Sequence, residues 1–369
     1  MEKPEQPCQM NKPLDLLYNE SIELLQSLVR TPSFSREESA TAEILIEFFQ
    51  AHDIPTERIG NNVIVRHQAF DPSKPTLLLN SHHDTVKPNA GYTRDPFSAD
   101  REDGKLYGLG SNDAGGCLVS LIAAFLHYYS QSDLSYNLLL AATAEEEVSG
   151  TGGVEMILPH LPVIDCALVG EPTKLDLAVA ERGLMVLDCV ANGKAGHAAR
   201  NEGINAIDLA MDDIQWFRQH RFERVSDLLG ACQMTVTVIE THNKTHNIIP
   251  AKCQFVVDVR VNELYSFEQI LEEIRMHTRS IITPRGFRLR STSIPLDHPL
   301  VVGGCKQGRK PYGSPTTSDK ALMPFPALKT GPGDSARSHS ANEYIYTEEI
   351  RNGIDHYIHL IDHLQQSHK

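Results

Sequence analysis

The chain has 369 residues, 41% of them hydrophobic, enough to bury a sizeable core and to divide into two domains. Its formal net charge of −14 repels phosphate backbones and argues against a nucleic-acid partner. No stretch approaches about eighteen continuous apolar residues, and residues 1–12 carry no apolar leader core, so a soluble cytoplasmic protein without a membrane partner is expected.

The seven cysteines are widely spaced, without a Cys-x-x-Cys pair, and read as buried reduced thiols. Along the chain, Leu14, Leu17, Leu25 and Leu28 recur at helical spacing until Thr31-Pro32 ends the run. A second helix is expected from Ser35, with Ser35 and Glu38 as a capping box. Strands follow at 62–66 and 76–80. The latter, Thr-Leu-Leu-Leu-Asn, is the continuous apolar run of a strand covered on both faces, and it leads to His82 and Asp84. Residues 114–128 read as a helix, 136–143 as a buried strand ending in Glu145-Glu146-Glu147, and 166–170 as a strand ending at Glu171. This alternation indicates an α/β fold with a doubly wound, mostly parallel sheet, in which ligands bind beyond the carboxyl ends of the strands.

After about Leu175 the pattern changes. Residues 183–191, 233–240 and 252–261 alternate apolar and polar, as in an antiparallel sheet with one open face, and helices are expected at 204–220 and 266–279. The expected organisation is a polar tail (1–13), a discontinuous catalytic domain (14–177 and 289–369) and an inserted α+β domain (178–288). The last segment supplies a strand at 327–330, a Gly331-Pro332-Gly333 turn, His339 and a helix from Thr347.

Two imidazoles and several carboxylates at strand ends, His82, Asp84, Asp113, Glu145 to Glu147, Glu171 and His339, suffice to hold a pair of divalent ions, the equipment of a hydrolase. Each stretch alone also has a plainer reading. His82-His83-Asp84 has the composition of a surface turn, Asp113 that of a helix N-cap, and the three glutamates that of a solvated acidic helix start. Glycines on both sides of Asp113 permit the backbone crowding of a bridging carboxylate. His356, His359 and His363 share a helical face without a carboxylate pattern and read as solvated, and His242 and His246 as parts of a hairpin.

Taken in order, these stretches resemble the dizinc aminoacylase family of metallopeptidases and deacylases, over nearly the whole chain from Leu14. The resemblance implies that His82 binds one metal with Asp84 behind it, that Asp113 bridges both, that Glu171 completes the first site, and that Glu147 and His339 complete the second. It makes Glu146 the general base for the attacking water and implies a non-proline cis peptide after Asp113. The inserted domain becomes a ferredoxin-like dimerisation or lid domain, whose His197, in Gly193-Lys194-Ala195-Gly196-His197, reaches a partner's active site in a homodimer and stabilises the oxyanion. Asn247 and Arg260 match substrate-contacting positions, the arginine suited to a carboxylate. Two departures stand out: Asp113-Ala114-Gly115-Gly116 lacks the lysine common at this place, and Asn201 replaces a common proline.

The reaction so implied is zinc- or cobalt-dependent hydrolysis of a small N-acyl amino acid, with the overall look nearest to acetylornithine deacetylases of arginine biosynthesis. Deacylation of acetylcitrulline or of a succinylated counterpart, a di- or tripeptidase, and a catalytically silent binding protein of the same fold are the alternatives.

Overall fold

An apolar run can be buried on both faces only if helices or loops cover both sides of its sheet. Thr76–His82 is buried along all seven residues, and Asn137–Thr143 likewise. The computed structural model describes residues 13–200 and 202–368, so residues 1–12 of the polar tail, with Cys8, and Asn201 lie outside the described residues.

The described chain separates into two units. The first comprises residues 13–179, 294–311 and 318–368, and the second 180–293 and 312–317. The second unit thus runs to Ser293, past the expected boundary at 288, because Thr292 and Ser293 pair with Glu181 and Ala180.

The main strands are β1 (Thr56–Ile59), β2 (Asn62–Arg66), β3 (Thr76–His82), β4 (Asn137–Thr143), β5 (Cys166–Val169), β6 (Leu177–Glu181), whose last two residues belong to the second unit, and β7 (Ala327–Lys329), beside a small separate sheet of Arg101–Glu102, Lys105–Tyr107 and Tyr344–Tyr346. Their order is β1-β2-β4-β3-β5-β7-β6. The central strands β4, β3, β5 and β7 are mutually parallel, whereas β1, β2 and β6 join antiparallel. This is a mixed α/β fold with a parallel sheet centre. Helices α1 (Leu14–Arg30), α3 (Gly116–Tyr128) and α4 (Thr347–Ser367) pack together, and α3 lies against β3 and β4. Helix α2 (Ser39–Gln50) packs on β1 and β2. One face of the sheet is filled by Leu78, Leu139 and Ala167 against Val154, Ile157 and Met323.

Helix α2 begins at Ser39, and its N-terminus has no side-chain cap. The expected capping box at Ser35 and Glu38 does not form, because both side chains are engaged by the loops described below. His356 also departs from expectation: it is 2% exposed, its Nδ1 donating to Gln307 Oε1 at 2.7 Å and its Nε2 accepting from Thr330 Oγ1 at 3.0 Å, while His359 is exposed. Of the described cysteines, five are buried and free, and Cys305 is exposed.

The second unit is an antiparallel sheet in the order 233–240, 252–261, 183–192, 281–284. Alternation along Gly183–Asn192 and Lys252–Val261 sends Leu187, Cys189, Phe255 and Val257 into a core with Phe217 of helix Ala206–Gln219 and Ile270 of helix Phe267–His277. Gln233–Glu240 is mostly exposed, an edge strand with a register shift between Val236 and Val238. Among the described residues no helix is long and apolar enough to cross a membrane.

Candidate metal centre

Because β4, β3 and β5 are parallel neighbours, their carboxyl ends share one edge, and the residues that follow them meet there. β3 delivers His82 and Asp84, β4 delivers Glu145 to Glu147, and β5 delivers Glu171. Asp113 arrives from the turn before α3. That turn starts with Gly110 at φ 76°, where a Cβ would stand 2.5 Å from Thr85 Cγ2, so only glycine fits. The Asp113–Ala114 peptide is cis. His339 comes from the loop between β7 and α4.

The two imidazoles address opposite oxygens of one carboxylate. His82 Nε2 lies 3.4 Å from Asp113 Oδ1 and 3.8 Å from Glu171 Oε1, whereas His339 Nε2 lies 3.7 Å from Asp113 Oδ2 and 2.9 Å from Glu147 Oε2. Two donor sets result, His82-Asp113-Glu171 and Asp113-Glu147-His339, each with ligand atoms within 4.8 Å of one another. Glu146 Oε2 stands 4.0 Å from His82 Nε2 and belongs to neither set.

His82 Nδ1 is 3.0 Å from the carbonyl oxygen of Asp84, the geometry of an Nδ1–H donor, which leaves Nε2 as the lone-pair atom. That Nε2 is fully buried and has no hydrogen-bond partner. A buried acceptor facing three carboxylates is poorly placed without a cation, and imidazole nitrogens with carboxylate oxygens are the donors that zinc and similar divalent ions take. The residues therefore fit a pair of divalent metal ions.

The electrostatics of the cluster agree. Burial pushes Glu171 up to about 8 and raises Glu146 well above the ordinary carboxylate range, with the charge of Glu171 adding to the latter. Glu147 is also raised by burial, against the pull of its hydrogen bond with His339. That same bond lifts His339 to about 9. Burial disfavours a charged His82, yet Asp113 and Asp84 beside it raise the imidazole well above its usual value, and His82 in turn holds Asp113 below the usual carboxylate range despite burial. Crowded carboxylates of this kind call for positive charge.

The backbone that presents these side chains is held by carboxylates outside the donor sets. Asp84 Oδ1 accepts from Glu146 N at 3.0 Å, and its Oδ2 accepts from Glu147 N at 3.2 Å and from Ser35 Oγ at 2.7 Å. The Asp84 carboxylate is farther from His82 Nδ1, at 3.4 Å. Glu38, fully buried, accepts from Glu145 N, Arg36 N and Asn61 Nδ2. Glu343 accepts from the backbone of Asn112 and Asp113. Asp319 accepts from Thr143 Oγ1 at 2.7 Å, and burial raises it to about 6. Neither Glu343 nor Asp319 belongs to one of the stretches that suggest metal ligands, and Glu38 has the spacing of a helix cap. Glu343, four residues beyond a suspected ligand, is the one with a positional signal.

His197, Asn247 and Arg260 all lie in the second unit. His197 is exposed and pairs with Ile248 in a two-residue ladder, and Ala198 N donates to Asn247 O at 3.0 Å. Arg260 is partly buried and bound to Asp258 through Nε at 2.8 Å and Nη2 at 3.0 Å.

Residues 78–363 match the family described as peptidase family M20/M25/M40. The chain belongs to this family. It is 29% identical over 365 residues to an acetylornithine deacetylase of Pectobacterium carotovorum, covering 89% of this chain and 94% of that protein. It is 27% identical over 274 residues to succinyl-diaminopimelate desuccinylase 2 of a Ruegeria species, covering 70% of this chain and 69% of the relative. Among solved structures, a tripeptidase from Staphylococcus aureus superposes with a TM-score of 0.75 at 18% identity, covering 97% of this chain and all of that one. A Bacillus subtilis M20 protein described as a dinuclear metal-binding peptidase superposes at 0.71 with 14% identity, covering 94% and 98%. As a member of the M20 family, the chain is a metal-dependent amide hydrolase.

Proposed function

We propose that this M20 hydrolase removes the acyl group from an N-acyl α-amino acid, with N-acetyl-L-ornithine as its first substrate. The observation that carries the reading is a partly buried glutamate, Glu146, outside both donor sets with its Oε2 4.0 Å from His82 Nε2. The relative aligned along most of this chain, an acetylornithine deacetylase, supports the choice of substrate.

In this reading His82, Asp113 and Glu171 hold one ion, and Asp113, Glu147 and His339 the other, with zinc or cobalt as the metal. Bound there, the ions supply Lewis acidity toward the scissile carbonyl and toward water. Glu146 takes a proton from the attacking water as the new C–O bond forms. It returns that proton to the amide nitrogen as the C–N bond breaks, releasing a carboxylic acid and a free amine. Asp84 holds the Glu146 and Glu147 backbone so that one side chain ligates while its neighbour carries protons. His197 donates to the oxyanion from a partner subunit of a homodimer built through the second unit, and Asn247 and Arg260 contact the substrate, Arg260 taking its carboxylate. The setting is cytoplasmic arginine biosynthesis.

The test is a side-by-side measurement of kcat/KM on acetylornithine, acetylcitrulline, succinylornithine, succinyl-diaminopimelate and a dipeptide, using protein reconstituted with zinc or cobalt. Acetylornithine should lead by at least about tenfold, which corresponds to roughly 1.4 kcal/mol of transition-state discrimination. A lead for the succinylated substrates or for the dipeptide rejects this assignment.

A further inference from the structure

His82 and His339 are held in different ways. His82 ends a buried strand, whereas His339 sits on a loop with its side chain 56% exposed and its backbone at φ 57°. His339 itself lies in no strand; Tyr344–Tyr346, five residues on, pairs with Lys105–Tyr107, and the second donor set requires the imidazole beside Asp113. We propose that Glu343 is a positioning residue that locks the His339 loop to the Asp113 turn and thereby builds the second cation site. This rests on the two-ion reading of the ligands given above.

Glu343 is 2% exposed. Its Oε1 accepts from Asn112 N and Asp113 N, each at 2.9 Å, and its own carbonyl oxygen accepts from Gly108 N at 2.9 Å. One residue of the His339 loop therefore grips the Asp113 turn at three backbone positions. The Asn112 side chain makes the reciprocal link, accepting from Asp334 N at 3.0 Å and donating to Asp334 O at 3.1 Å. On its outer side the loop is held by Asn89 Nδ2 donating to His339 O at 3.0 Å, and by Thr93 N and Arg94 N donating to Asn342 Oδ1 at 3.0 Å. These outer contacts fix the loop to residues 89–94 but not to Asp113. Asn112 also ties the loop to the turn, through Asp334 and through Ser338 Oγ at 3.4 Å, but Glu343 is the group that receives the Asp113 amide itself. Groups standing behind metal ligands in this way commonly contribute about 10- to 100-fold to metal affinity.

Calorimetric titration of chelated protein with zinc chloride alone tests this, with thermal unfolding followed by circular dichroism as the check on folding. Wild-type protein should take up two ions, and uptake of fewer would reject the two-ion reading itself. Glu343→Ala should weaken one binding event by about 10- to 100-fold and leave the other within about threefold. Glu343→Gln, whose amide oxygen still accepts from both N–H groups, should recover most of the loss. If Glu343→Ala does not fold, Glu343→Asp decides, because it keeps the charge but withdraws the oxygen by one methylene and should show the same selective weakening. Two wild-type binding events in a folded Ala or Asp variant would overturn the proposal. So would equal weakening of both events with no rescue by glutamine.

Discussion

Replacing Asp84 with alanine separates two roles for that carboxylate: orienting His82, or holding the glutamate turn. The distances favour the turn. Glu146 N and Glu147 N donate to Asp84 at 3.0 and 3.2 Å and Ser35 Oγ at 2.7 Å, whereas His82 Nδ1 is 3.4 Å away and finds the Asp84 carbonyl at 3.0 Å instead. A hydrogen bond to a charged group contributes about 1.5–3 kcal/mol, and the Asp84 side chain is 1% exposed, so water does not readily replace it. Losing about 2–3 kcal/mol of protection at each amide should speed hydrogen exchange at Glu146 and Glu147 by roughly 30- to 150-fold. Ser35→Ala removes one partner of Oδ2 and leaves both amides bonded, so its effect there should stay below about tenfold. Turnover of Asp84→Ala should fall on the order of 100-fold, the cost of about 1 Å of slack in a catalytic group. Exchange measured by mass spectrometry over residues 144–150 checks this. Unchanged exchange in Asp84→Ala alongside a large loss of turnover would refute the reasoning and return the carboxylate to His82.

Glu146→Gln should still take up two ions, since Glu146 lies in neither donor set, while kcat drops by about 100- to 10,000-fold. Zinc titration beside steady-state kinetics checks both halves, and near-normal turnover removes Glu146 from the proton-transfer role. The buried His356 makes the protein sensitive to acid. Burial lowers its pKa from 6.5 to about 3, with Arg309 and His359 adding to the effect, so as pH falls the unfolded chain takes up the proton first. Stability from the neutral ring is therefore complete above pH 6.5 and lost progressively toward pH 3, with about 2.5 kcal/mol gone between pH 7 and pH 4.5. In His356→Gln that component is absent, and unfolding free energies at the two pH values should differ by correspondingly less than in the wild type; equal pH dependence in both proteins contradicts the assignment.

Burial on both faces was readable where it depends on composition alone. Thr76 to Asn80 contains three consecutive leucines and forms a central parallel strand, and the ligands at its carboxyl end follow from the sheet type. Partners distant in sequence were not readable in this way. Nothing in the spacing joins His339 to Asp113, and only the resemblance of the ordered stretches to a known family connected them. Local patterns failed where a tertiary partner competed for the same side chain. Ser266 and Gln269 form a capping box on their helix, but Ser35 and Glu38, which fit the same pattern, are taken by Asp84 and by the Glu145 backbone. His356 illustrates a different failure. It stands three residues after buried Gly353 and four before buried Leu360, so it lies on the apolar stripe of α4, a fact hidden by grouping it with His359 and His363. The carboxylates that hold backbone, Asp84, Glu38 and Glu343, are the hardest to recognise because they have the same chemistry as the ligands. Place does not separate them, since Asp84 follows a strand end like the ligand His82; an anchor is defined only by the amides it receives, and those come from segments as far away as Asn112 is from Glu343.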